Sequence, residues 1–148
     1  MRNKTANGLT LIELVIVVGI IAIISTGVLV SFRGSEHREL QNASLALQAD
    51  LRYAQRRAIM EGRRYGIIFE VQHNRYHIVL DSPRQTIRTV YLQNGVRLFE
   101  VSGPSLMFLP RGTASVGFRI TLHNGSYSQQ LTATVSGGRI RIFDIIRA

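Results

Sequence analysis

The sequence predicts an α+β protein in which one long N-terminal helix, partly transmembrane, packs on a domain of antiparallel β-sheet. Three observations carry that prediction. Residues 14–32 form an unbroken run of 19 uncharged residues. Apolar residues then recur at three- and four-residue steps as far as Ala58, and beyond Gly62 the chain breaks into short β-branched and aromatic runs separated by turn residues.

The chain opens MRNKTANG, polar and basic, and turns apolar at Leu9. At about 1.5 Å per residue the uncharged run spans roughly 28 Å as a helix, close to the ~30 Å hydrocarbon core of a bilayer. A secretory signal would have a shorter apolar core followed by a small-residue cleavage site, and no such site follows. Arg2 and Lys4 precede the run, which places the N-terminus in the cytoplasm and exports the rest. Glu13 stands among Leu11, Ile12, Leu14 and Val15. A carboxylate in hydrocarbon costs on the order of 2.5–3.5 kcal/mol on insertion scales. Either Glu13 has a cationic partner, or the span begins at Leu14 and Glu13 is wetted at the interface.

From Glu36 the pattern is amphipathic, with Leu40, Ala43, Leu47, Leu51, Ala54 and Ala58 on one helix face. Gly62 is the expected C-cap, and Arg56 and Arg57 are expected in the last turns, where cations suit the helix dipole. Strands are expected over 65–71, 76–80, 86–92, 96–101, 105–109, 116–122, 127–135 and 139–143. Asn124-Gly125 signals a hairpin, and residues 72–75 close an earlier one.

The absence of cysteine excludes disulfides, thiolate metal sites and a cysteine nucleophile. His37, His73, His77 and His123 lack a ligand spacing: His73 and His77 are four apart but flank a predicted turn rather than sharing a helix face. No serine lies in a nucleophile motif and no glycine-rich loop precedes a helix, so neither catalytic residues nor a metal or cofactor is expected, and the chain does not read as an enzyme.

Charge is the remaining signal. From Arg33 onward 16 arginines face 8 acidic residues, a formal +8, which draws polyanions such as nucleic acid or anionic lipid heads unless it only reflects a GC-rich coding habit. If residues 139–143 form a strand, Arg139 and Arg141 share one face and Ile140 and Ile142 the other. Such a pair either blunts an edge strand or, preceded by a mobile Gly137-Gly138, presents two guanidiniums to phosphates. No recognition helix or stacking aromatic cluster is evident, so DNA binding would be sequence-independent through the phosphate backbone.

The segment GLTLIELVIVVGIIAII, Gly8 to Ile24, resembles the prepilin signal of type IV pilins and type II secretion pseudopilins. The resemblance implies cleavage between Gly8 and Leu9 by a prepilin peptidase and methylation of the new Leu9 amine. It also implies that Glu13 pairs with that amine, in its own or a neighbouring subunit, during assembly. Leu9 departs from the usual phenylalanine, a hydrophobic replacement. Three further places resemble the GspH/FimT branch of pseudopilins and minor pilins: LRYAQRRAIMEG with Ala54, Arg56 or Arg57, and Ala58; LMFLPRG with Phe108, Pro110 and Gly112; and GRIR from Gly138 to Arg141.

The organisation so implied is a leader over 1–8, a transmembrane and filament-core helix over 9–32, its amphipathic continuation over 33–62, and an exported β-rich domain over 63–148. The chain is then a minor pilin or pseudopilin, single-pass in a bacterial inner membrane, whose partners are other pilins or pseudopilins and the peptidase. Some FimT-type minor pilins bind DNA during uptake through the GRIR-like motif, which implies a second role as a DNA receptor for Arg139 and Arg141.

Overall fold

A computed structural model describes residues 11–147, with the side chains of all of these except residues 24–34. The chain divides into two compact units at Ser35/Glu36, and helix α1, Leu11–Glu61, contributes to both. In the first unit every described side chain from Leu11 to Ile23 is exposed, Leu11 at 82% and Ile23 at 76%. Among the described residues no helix is long and apolar enough to cross a membrane. The expected span runs to residue 32, and its part beyond Ile23 lies outside the described side chains, as the leader over 1–8 and Leu9 lie outside the described backbone.

In the second unit α1 buries Leu40, Leu47, Leu51, Ala54 and Ala58, the face that the three- and four-residue spacing defines. Gly62 follows with φ +63°, the left-handed conformation that ends a helix without a Cβ penalty. The last turn contains no basic residue. Arg57 lies just before it and is taken up by Glu61 at 2.7 Å and by the rings of Tyr53 and Tyr65, so it serves a local contact rather than the dipole.

Among the described residues nine strands follow: β1 Tyr65–Glu70, β2 Arg75–Leu80, β3 Gln85–Tyr91, β4 Arg97–Val101, β5 Ser105–Phe108, β6 Phe118–Asn124, β7 Tyr127–Ala133, β8 Ile140–Ile142 and β9 Ile146–Arg147. They form two antiparallel sheets. The first has the order β3-β2-β1-β5; the second has the order β4-β6-β7-β8, with β9 also pairing with β7. Alternation sets their faces. In β6, Phe118, Ile120 and Leu122 point inward while Arg119, Thr121 and His123 point outward. Tyr65, Ile67, Ile78, Leu106 and Phe108 from the first sheet join Leu98, Phe118, Ile120, Leu122 and Leu131 from the second in one core with the α1 face. Burying each large apolar side chain contributes about 1.5–3 kcal/mol.

Two asparagines hold the sheets in place. Asn74, in the left-handed conformation after the 3₁₀ turn Val71–His73, donates to the Leu92 and Val96 carbonyls at 3.2 and 2.8 Å and accepts from the Leu98 amide at 2.9 Å. It thereby ties the β1–β2 hairpin of one sheet to β4 of the other. Asn124 ends β6 opposite Tyr127, so the hairpin loop is Gly125-Ser126. Its buried amide donates to the Glu36 carbonyl at 3.1 Å and the Asn94 carbonyl at 3.2 Å.

Candidate functional site

The residues singled out at the N-terminus are only partly within view. Gly8 and Leu9 lie outside the described residues, while Glu13 sits in the first turn of α1, exposed. The C-terminal pair is fully described, and its surroundings are built from all three short segments that resemble GspH/FimT chains.

Gln55, on the helix segment LRYAQRRAIMEG, reaches between two loops. Its Nε2 donates to the Gly112 carbonyl at 2.6 Å and to the Gly138 carbonyl at 3.1 Å. Gly112 closes the tight turn of LMFLPRG, where the Leu109 amide donates to the Thr113 carbonyl at 2.9 Å and the Gly112 amide to the Leu109 carbonyl at 2.8 Å. Gly138 opens GRIR and has φ +59°; a Cβ there would collide with the Gly112 carbonyl oxygen. It is buried, so the expectation of a mobile glycine pair before Arg139 is corrected at Gly138. Close packing against the turn and the Gln55 amide holds this backbone.

Arg139 follows the 3₁₀ turn Ser136–Gly138 in extended conformation, and its carbonyl accepts from the Thr134 amide at 3.0 Å. The strand expected over 139–143 is therefore shorter, β8 beginning at Ile140, because that turn claims Arg139. Arg141 stands on β8 opposite Thr132. Both arginines are exposed, Ile140 and Ile142 are half-buried, and β8 is the last strand in the β4-β6-β7-β8 order. The expected alternation thus holds across the turn.

The arginine ion pairs found among the described residues lie elsewhere. Arg57, Arg64, Arg75 and Arg88 make ion pairs with Glu61, Asp81, Glu70 and Asp50, whereas Arg139 and Arg141 have no carboxylate partner among the described residues. Glu70 is the most engaged acid. One of its oxygens accepts from Arg75 Nε and Nη2, each at 2.7 Å, and faces His73 Nδ1 at 3.2 Å, while the other faces His77 Nε2 at 3.0 Å. The Arg75 guanidinium, then the His77 ring, hold the Glu70 carboxyl below the usual carboxylate range against the opposing effect of desolvation. His73 and His77 flank the β1–β2 turn, and among the described residues no group of three or more His, Cys, Asp or Glu could hold a metal ion.

The outward face of the second sheet completes the surroundings. Arg119 is paired across strands with Thr132, and Thr132 with Arg141, which makes one row over β6, β7 and β8. Arg97 is paired with His123, and the Phe99 ring stands 5.5 Å from the His123 ring. These partners lie far apart along the chain, so linear reading shows neither the row nor the ring pair; strand register alone assembles them.

A helix that buries one face of its second half against antiparallel sheets, and whose described side chains from Leu11 to Ile23 are exposed and apolar but for Glu13, defines the pilin-like class of protein. The comparisons place the chain within it. A model of the family described as Type II transport protein GspH matches residues 43–138, and the prokaryotic N-terminal methylation motif matches residues 3–29. The chain belongs to the GspH family. In structure it is similar to the minor pseudopilin EpsH from the Type 2 Secretion System of Vibrio cholerae, with TM-score 0.62 and 18% identity over 71% of this chain and 96% of that one. It is also similar to the type IV minor pilin FimU of Pseudomonas aeruginosa, with TM-score 0.61 and 21% identity over 74% and 92%. No curated protein matches the sequence significantly.

Proposed function

We propose that this chain is a minor subunit of a membrane-anchored filament, a type IV pilus or a type II secretion pseudopilus. In this reading its precursor is cut by a prepilin peptidase after Gly8 and methylated on Leu9. The observation that carries the reading is the stretch Leu11–Ile23, which lies within the methylation-motif match, is apolar but for Glu13, and has every side chain exposed. A helix of that kind needs lipid or neighbouring helices around it. The chain then sits in an inner membrane with the domain from residue 63 exported, and helix packing draws it into a filament with other pilins or pseudopilins. Cleavage exposes an ammonium at Leu9 that offsets the Glu13 carboxylate, since either charge alone in an apolar bundle is costly. Mass spectrometry of membrane-assembled protein tests this: a methylated Leu9 at the N-terminus is expected, and an intact Met1 start would overturn it.

A second reading, a DNA receptor, is favoured by Arg139 and Arg141, which stand exposed and without carboxylate partners among the described residues, beside a backbone held by Gln55. Phosphate contacts predict binding to duplexes of unrelated sequence that weakens steeply with salt. Arg139→Ala with Arg141→Ala should lower both affinity and salt slope, the latter by roughly one unit for each phosphate no longer neutralised. Diffuse attraction predicts equal losses from Arg38→Ala with Arg84→Ala, and that result would reject a dedicated site.

A further inference from the structure

The outward face of the second sheet carries rings as well as cations. Arg119 and Arg141 stand two strands apart with Thr132 between them, about 10 Å at roughly 4.8 Å per strand. Toward the β4 edge, the pairing shifts between Leu98 and Glu100, which leaves Phe99 out of the ladder and sets its ring against outward-facing His123. Toward the β8 edge, the Phe143 amide donates to the Gln130 carbonyl at 2.9 Å, which continues the alternation that gives Arg141 and Phe143 one face. Phe99 is 68% exposed and Phe143 47%. Arg97, Arg119 and Arg141 share the face with one paired acid, Glu100 opposite Thr121.

We propose that this face binds single-stranded nucleic acid, with Phe99 and Phe143 as stacking surfaces for bases and Arg97, Arg119 and Arg141 on the phosphates. The proposal rests on the DNA reading of Arg141 and goes beyond it by naming the single strand. Duplex bases are stacked on one another and offer no face to a side chain, whereas an unpaired base offers both. Exposed rings flanking arginines on an open sheet suit that ligand, because stacking accepts any base and the guanidiniums follow the backbone. A lipid surface is the poorer match. Insertion into a bilayer calls for a contiguous apolar face, and here the two rings stand toward opposite edges, with Thr121, Gln130 and Thr132 between them.

The test uses the full-length protein in detergent, titrated into fluorescent oligothymidylate of about 20 nucleotides and into a duplex of equal length. Phe99→Ala with Phe143→Ala should weaken single-strand binding about tenfold or more and leave duplex binding within about twofold. Tyrosine at both positions should restore the single-strand affinity. Arg139→Ala with Arg141→Ala should weaken both. If the phenylalanine variant loses no more on single strands than on duplex, the stacking surface is rejected while the DNA reading stands. If the arginine variant changes neither, or the wild type binds neither, both fall. Loss of binding to phosphatidylglycerol vesicles with single-strand binding intact would overturn the proposal and make this face a membrane contact.

Discussion

The Gln55 amide donates to the Gly138 carbonyl across 83 positions of sequence, and the same nitrogen donates to Gly112. One helix side chain thus fixes both the turn after β5 and the start of the arginine edge. Replacing Gln55 by leucine removes both bonds and should cost about 1–3 kcal/mol, since the Gly138 carbonyl lies in a buried setting. Gly138→Ala should cost a similar amount or more through collision and its positive φ. Because both act on one contact, thermal melts of the two variants and their combination should give a sub-additive loss. Additive losses would show that the clamp is not a unit.

Glu13 is an acid in an exposed apolar helix segment. Glu13→Ala should leave cleavage after Gly8 and membrane insertion intact yet impair incorporation into filaments, because the Leu9 amine of a subunit loses its counter-charge. Fractionation of membranes and sheared filaments measures this. Normal incorporation would favour the reading in which Glu13 is merely wetted at the interface.

Glu70 gives the acid limb of stability. Its folded-state pKa is lowered by Arg75 and then His77, so folding favours the ionised form. The stability it contributes is fully present above the ordinary carboxylate value of about 4.3 and is lost as pH falls through the lowered folded value. Glu70→Gln should therefore melt below wild type at neutral pH, with the gap closing as the pH drops under about 4. A gap that stays constant with pH would mean that shape, not charge, is what Glu70 supplies.

Ser44 lies fully buried on the core side of α1, and its hydroxyl has no hydrogen-bond partner among the described residues. A buried unsatisfied hydroxyl costs about 1–3 kcal/mol, and alanine is the better helix former. Ser44→Ala should thus be neutral or raise the melting temperature. A clear loss of stability would show that the hydroxyl is satisfied within the core, by a buried water for example.

Much of the fold was legible because local periodicity governs it. Leu40, Leu47, Leu51, Ala54 and Ala58 fall on one face at helical spacing whatever they pack against, and Gly62 ends the helix for reasons confined to its own backbone. The strand runs were likewise readable to within two residues at every end, apart from the unanticipated β9. What the sequence could not disclose depends on which strand lies beside which. The division into two sheets is set by pairings across distances that no local pattern encodes, and Asn74 ties the two together by reaching Leu92, Val96 and Leu98.

The candidate site divides in the same way. Sequence by itself determined the apolar run, the leader pattern ahead of Leu9, the acid at Glu13 and the alternation of Arg139 and Arg141, because each is a matter of composition or of neighbours a few residues apart. Tertiary structure alone decided that Gln55, Gly112 and Gly138 meet, that Arg119 joins Arg141 through Thr132, and that Phe99 meets His123. Those contacts close loops of tens of residues, and the energy that closes them comes from the shared core rather than from the residues that touch.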